Sequence, residues 1–177
     1  MTDVDAVRKA ARGAPSAGEV ILGMGVDVVE GERVRQAIAN WGDRFLSRVF
    51  RGEERAYCEG QAAPWRHFAG RFAVKEAVAK AFGTGIGERV GWRDVQVVRD
   101  AASGAPGVRL HGAALRLARA RNVGRVLVSI THSHTLAIAT VLLIGLASGR
   151  PSPRRRRGDM TPRPRGEAGE HEWGMQG

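Results

Sequence analysis

The stretch from Arg71 to Gly85 constrains the fold more than any other part of this chain, because it sets charged side chains inside an apolar, strongly helical run that ends in glycines. Charge in such a place needs a reason. At about 3.6 residues per turn, Phe72, Glu76 and Lys80 lie on one line of a helix, while Val74, Val78, Ala81 and Phe82 lie on another that can face a core. A helix from about Trp65 to Phe82, opened by Pro64 and stopped in Gly83-Thr84-Gly85-Ile86-Gly87, could pack and still present a carboxylate and an ammonium side by side. Two readings stand. One is a solvated Glu-Lys pair one turn apart, worth about 0.2–0.5 kcal/mol; the other is a site for a divalent cation and a polyphosphate. The glycine run by itself is a weak phosphate signature, since it follows the helix and does not precede it.

A second anomaly lies upstream. Val20 to Val29 reads as a buried strand rich in β-branched residues, interrupted by Gly23 and Gly25 and carrying Asp27 near its end. That carboxylate must turn into a cleft, find a partner, or bond the backbone where the strand gives way to a helix near Gly31. Further on, Arg33 to Ala39 and Arg44 to Phe50 read as two helical segments, and Glu53 to Glu59 as a third. Asp94 to Asp100 and Val108 to Leu110 form a hairpin about the turn Ser103-Gly104-Ala105-Pro106. A helix over Ala113 to Asn122, ended by Gly124, precedes two strands, Val126 to Thr131 and Leu136 to Leu143, with Thr131-His132-Ser133-His134 in their connection. His132 and His134 lack a matching third ligand for zinc; a turn histidine that meets a phosphate and one that serves structure alone are equally open readings.

Composition bounds the rest. A chain of 177 residues, 43% of them hydrophobic, holds one domain with a real core. Residues 1–18 read as a flexible extension, 19–147 as the domain, and 148–177, with Arg154 to Arg157 in a row among Pro and Gly, as a disordered tail. Of the net +10, the domain span keeps an excess of eighteen bases over twelve acids, which favours an anionic partner. A single cysteine, Cys58, excludes an internal disulfide framework and suits a reducing compartment. With no secretory signal at the start and an apolar run over Leu136 to Leu146 shorter than the roughly 20 residues of a membrane span, a cytoplasmic protein without a membrane segment is expected.

Three ordered motifs now converge: Gly25-Val26-Asp27-Val28-Val29-Glu30, the run from Arg71 to Ala81, and Val128-Ser129-Ile130-Thr131-His132-Ser133. Together they resemble the holo-acyl-carrier-protein synthases, the small single-repeat branch of the phosphopantetheinyl transferases. The resemblance spans about Glu19 to Ile144. Arg48-Val49-Phe50 with Glu53, Gly83-Thr84-Gly85-Ile86, Gly104-Ala105-Pro106 and Leu110-His111-Gly112 support it.

The resemblance implies an α+β fold, a mainly antiparallel sheet packed against one long helix, in a homotrimer with active sites at subunit interfaces. It also implies transfer of 4′-phosphopantetheine from coenzyme A to a serine of apo acyl carrier protein, with Mg²⁺ and release of adenosine 3′,5′-bisphosphate. Asp27 and Glu76 match the family's magnesium-binding acids, Lys80 its motif lysine near the coenzyme A phosphates, and His132 the histidine beside the pyrophosphate. Thr131, Gly104 and Pro106 fall in the segments that would contact coenzyme A. Arg33 matches a basic residue that meets the carrier protein, a surface that Arg35 and Arg44 would extend because Ala37, Asn40 and Asp43 are not basic. Glu76, directly or through water, is the expected acceptor of the serine proton. Nucleic acid is the competing anionic partner, but Asp27 and Glu76 would repel a phosphate backbone.

Overall fold

The computed structural model describes residues 17–146. Nearly all of the expected N-terminal extension, and the whole of the expected Arg-rich tail, lie outside the described residues. Strand β1 (Glu19–Glu30) leads into α1 (Gly31–Val49), α2 (Gly52–Glu59) and the long α3 (Pro64–Ala81). A 3-10 turn at Trp92–Asp94 precedes the hairpin β2 (Val95–Arg99) and β3 (Pro106–Leu110), then α4 (Gly112–Ala120), β4 (Val123–His132) and β5 (Leu136–Leu146). The main sheet is antiparallel, in the order β1-β5-β4, and β2-β3 pair separately. This is the expected α+β architecture.

Helix α3 forms because apolar and small residues recur on its inner face, and Pro64 at the first turn loses no hydrogen bond there. Ala73, Val74, Ala77, Val78 and Phe82 are buried against Ala139, Val141 and Leu143 of β5 and Val95, Val97, Val108 and Leu110 of the hairpin. Each fully buried large apolar side chain there contributes about 1.5–3 kcal/mol. A second apolar cluster, of Val34, Leu46, Val49, Phe50, Cys58, Phe68 and Ala137, fastens α1 and α2 to the other flank of α3.

Two glycines decide how closely α3 lies on β1. A Cβ on Gly25 would sit 2.0 Å from the Ala77 carbonyl oxygen, and one on Gly23 would sit 2.3 Å from that of Ala81. Any side chain there would push strand and helix apart. The glycines that interrupt the strand pattern are therefore its contact with the helix.

The structure departs from expectation at four places. Strand β1 is not buried on both faces: Met24, Val26 and Val28 are 66%, 44% and 53% exposed, because α3 covers one side of the sheet and no described element covers the other. The two expected helical segments of α1 run on across a kink at Gly42, whose φ of 45° and ψ of −125° are open to glycine. Helix α4 ends before Gly124, at Arg121, and Asn122 takes the left-handed turn with φ 56°. Gly124 instead sits at a register shift inside β4. Lastly, β4 extends through Thr131 and His132, so both belong to a strand end and not to the connection.

Candidate functional site

Asp27 owes its position to strand alternation. Val26 and Val28 point to the bare side of the sheet, so Asp27 points, like Gly25, toward α3. There its Oδ1 accepts a 2.8 Å hydrogen bond from Lys80 Nζ, with the Asp27 side chain only 12% exposed and that of Lys80 52%. The bond to Asp27 is the first cause that raises the Lys80 pKa. Glu76, one turn before Lys80, is half-buried and receives no hydrogen bond from the described residues. Burial pushes its pKa up, the negative charge of Asp27 adds to that, and Lys80 partly offsets it. The two acids thus feel one another, and the Glu-Lys pair expected along the helix is in fact a Lys80–Asp27 pair across to the strand.

These three side chains open into a cavity of about 590 Å³, with Phe72 of the same helix line and with Arg33, Trp41 and Phe45 of α1 on its wall. Arg33 is therefore the one of the three expected docking arginines that reaches the acids' cavity. Arg35 is turned onto Glu32, with Nε and Nη2 donating over 2.7 and 2.9 Å, so its charge is already balanced. Arg44 is exposed on the far side of the Gly42 kink, outside the cavity wall.

His132, Gly104 and Pro106 line a different cavity, of about 200 Å³, bounded also by Tyr57, His67, Arg71 and Arg99. Thr131, beside His132 on β4, is exposed and is not part of either wall. Arg71 is 7% exposed and stacks over the Tyr57 ring at 4.1 Å. It donates to the His67 carbonyl over 3.3 Å, while its Nε has no hydrogen-bond partner and no described carboxylate pairs with it. A guanidinium so placed can donate to an anion. His67 sits edge-on to His132, ring centroids 6.2 Å apart, and its pKa is lowered by burial first and then by Arg71, His132 and Arg99. The two arginines on its wall, Arg71 and Arg99, favour negative charge in the second cavity.

With the geometry in place, a family model for the 4′-phosphopantetheinyl transferase superfamily matches residues 23–139, the span that carries both cavities. The chain belongs to the 4′-phosphopantetheinyl transferase superfamily. It is 41% identical over 124 residues to the holo-[acyl-carrier-protein] synthase of Koribacter versatilis, a match covering 70% of this chain and 98% of the relative. The fold is similar to that of the crystal structure of the holo-[acyl-carrier-protein] synthase of Neisseria meningitidis, with TM-score 0.65 and 31% identity over 70% of this chain and 98% of the other. It is also similar to the synthase of Bacillus anthracis, solved in complex with CoA (3′,5′-ADP), with TM-score 0.59 and 33% identity over 71% and 97% of the two chains.

In this phosphopantetheinyl transferase the residues suit a magnesium ion. Among the described residues no cluster of three or more His, Cys, Asp or Glu converges on one point. Mg²⁺ asks for less than that, because it keeps several waters and is commonly held by one or two carboxylates plus substrate phosphates. Asp27 and the half-buried Glu76 offer two hard oxygen donors, the ligand type that suits Mg²⁺, Ca²⁺ and Mn²⁺.

Sequence reasoning missed Arg71, His67 and Tyr57 as walls of the second cavity, and missed Lys75 altogether. Lys75 is fully buried and bonds Glu54 Oε2 at 2.9 Å, the Trp92 carbonyl at 3.1 Å and the Val95 carbonyl. For Arg71 and His67 a signal existed, since they stand one turn apart on α3. For Lys75 none did, because its partner Glu54 lies 21 residues away on α2.

Proposed function

We propose that this chain transfers 4′-phosphopantetheine from coenzyme A to a serine of apo acyl carrier protein, with Mg²⁺, leaving adenosine 3′,5′-bisphosphate. The observation that carries the reading is the meeting of Asp27, Glu76 and Lys80 in one cavity from two distant segments. Asp27 and Glu76 would hold the ion, which when bound neutralises pyrophosphate charge and orients the leaving group. Lys80 donates to a phosphate oxygen, a charge-assisted bond typically worth about 1.5–3 kcal/mol. The serine oxygen attacks the phosphorus that bears the pantetheine arm, the bond from that phosphorus to the bisphosphate oxygen breaks, and the serine proton passes to a carboxylate oxygen. Glu76, on the cavity wall beside Asp27 and Lys80, is the carboxylate we assign to that acceptor role, directly or through a water.

The second cavity, with Arg71, His67, His132, Gly104 and Pro106, would take the remaining phosphates and nucleoside of coenzyme A. Its wall shares no residue with the first, which suits a site assembled from two protomers of a homotrimer. The bare apolar row of Met24, Val26 and Val28 is the kind of surface a neighbouring copy covers. Arg33, at the rim of the acids' cavity, is placed to meet an acidic face of the carrier protein. We assign the reaction to the cytoplasm; no described helix is long and apolar enough to cross a membrane.

Incubation with coenzyme A, Mg²⁺ and an apo carrier protein tests the reaction: mass spectrometry should show the carrier gaining one phosphopantetheine. A carrier of unchanged mass would refute the reading. Sedimentation at several protein concentrations tests the trimer separately, and a monomer throughout would refute that part.

A further inference from the structure

Three charged groups meet at the mouth of the larger cavity, and they are not shared evenly. The Lys80 ammonium donates to Asp27 Oδ1 at 2.8 Å, while the Glu76 carboxylate, one turn away on the same helix, has no donor among the described residues. A cation held jointly by the two acids must come up to Asp27, whose Oδ1 already accepts from the positively charged Lys80 ammonium. Asp27 is only 12% exposed, so whichever of its oxygens a cation takes, the cation comes close to the Lys80 ammonium and is repelled by it. Lys80 can give way: its side chain is 52% exposed and its flexible four-carbon stem lets the ammonium swing within the cavity without disturbing the packed face of α3.

We infer that Lys80 is a built-in counter-ion of Asp27, which a divalent cation must displace, so that the ammonium becomes available to a phosphate oxygen only after the cation is in place. The inference rests on the assignment of Asp27 and Glu76 as the cation's ligands. Lys80 thereby keeps the empty site from presenting two uncompensated carboxylates, and it couples two binding events. Cation binding frees the donor that the anion needs, and by linkage the anion, by holding Lys80 away, tightens the site for the cation. Arg33 lines the same cavity, but no ion pair ties it to either acid, so it has no such exchange to make.

The test is a titration of the full chain with Mn²⁺, read as free Mn²⁺ by electron paramagnetic resonance without coenzyme A. It compares wild type, Lys80→Gln and Arg33→Gln. Displacement predicts that Lys80→Gln binds Mn²⁺ tighter by about tenfold, within the usual range of a coupling between sites. Arg33→Gln, which removes a charge from the cavity but no contact with Asp27, should gain less than about threefold by through-space repulsion alone. Equal affinity of wild type and Lys80→Gln, or equal gains in both variants, would overturn the exchange. A second readout needs no affinity: the ¹⁵N resonance of the Lys80 ammonium should move, on adding Mg²⁺, toward its position in Asp27→Asn. A resonance that stays put overturns the inference as well. Failure of the underlying site assignment looks different, since then neither wild type nor Lys80→Gln would bind Mn²⁺ at all.

Discussion

Helix α3 carries two lysines five residues apart, each paired with an acid from another element, and the two pairs have opposite characters. Lys75 and Glu54 are both 0% exposed, and each makes three hydrogen bonds. Glu54 accepts from Lys75, from the Arg51 amide at 2.9 Å and from the Val97 amide at 3.0 Å, while Lys75 also donates to two carbonyls. Lys80 and Asp27 stand at a cavity mouth, and the acid beside them, Glu76, is left without a donor. A closed, satisfied pair fastens α3 to α2 and β2. An open, under-satisfied cluster is built to receive something. The number of partners, and not the residue types, separates structure from site.

The comparison breaks most visibly at Lys75. Lys75→Met should lower stability by about 3–5 kcal/mol, because it strands the Glu54 charge in the core. Denaturant titration should then show the double variant Lys75→Met with Glu54→Leu recovering only part of the loss, since the stranded charge is gone but the Arg51 and Val97 amides lose their acceptor. Next come the acids of the open cluster. Asp27→Asn and Glu76→Gln should each cut phosphopantetheine transfer by about 10²-fold or more, in keeping with the several kcal/mol a metal's charge supplies, with melting temperatures close to wild type. Arg33→Glu should leave turnover at saturating carrier protein largely intact while raising the KM for it roughly tenfold, increasingly so at low salt. An unchanged KM would remove Arg33 from the docking surface.

The smallest effects concern the open cluster's part in stability. Lys80→Met should cost about 1 kcal/mol, since the Lys80 end of the pair is 52% exposed and screened by solvent, against the several expected at Lys75. The pH dependence has a definite sign. Glu76 binds its proton more tightly in the folded than in the unfolded chain, so its contribution is fully present below the ordinary glutamate value and is lost as pH rises through the raised one. Melting curves in chelator across that window should decline for wild type and flatten for Glu76→Gln. A steeper decline in the variant would contradict the assignment of burial as the main cause.

Much of the fold was legible in the sequence because its signals are local. The line Phe72, Glu76, Lys80 follows from helical spacing alone, and all three side chains do line one cavity. Pro64 and the glycines after Phe82 marked the ends of α3 within a residue or so. The interruptions at Gly23 and Gly25 were visible, but their reason, the approach of the Ala77 and Ala81 carbonyls, was not. Strand β1 looked buried on both faces because periodicity reports apolar side chains and not what covers them. Gly124 was mistaken for a helix end because the residue that makes the left-handed turn there, Asn122, can adopt it without being glycine.

The sequence by itself determined which residues could do chemistry: two carboxylates, a lysine and a histidine in an order and spacing that mark a phosphopantetheinyl transferase. Tertiary structure alone decided how they group. Asp27 and Lys80 are 53 residues apart and meet because two glycines let β1 lie against α3, whereas His132, on the opposite edge strand of the sheet, faces another cavity. It also decided that Lys75 is sealed and Lys80 half-exposed. Helical and strand periods are properties of neighbouring residues, but burial and ion pairing are set by whichever distant segment packs alongside.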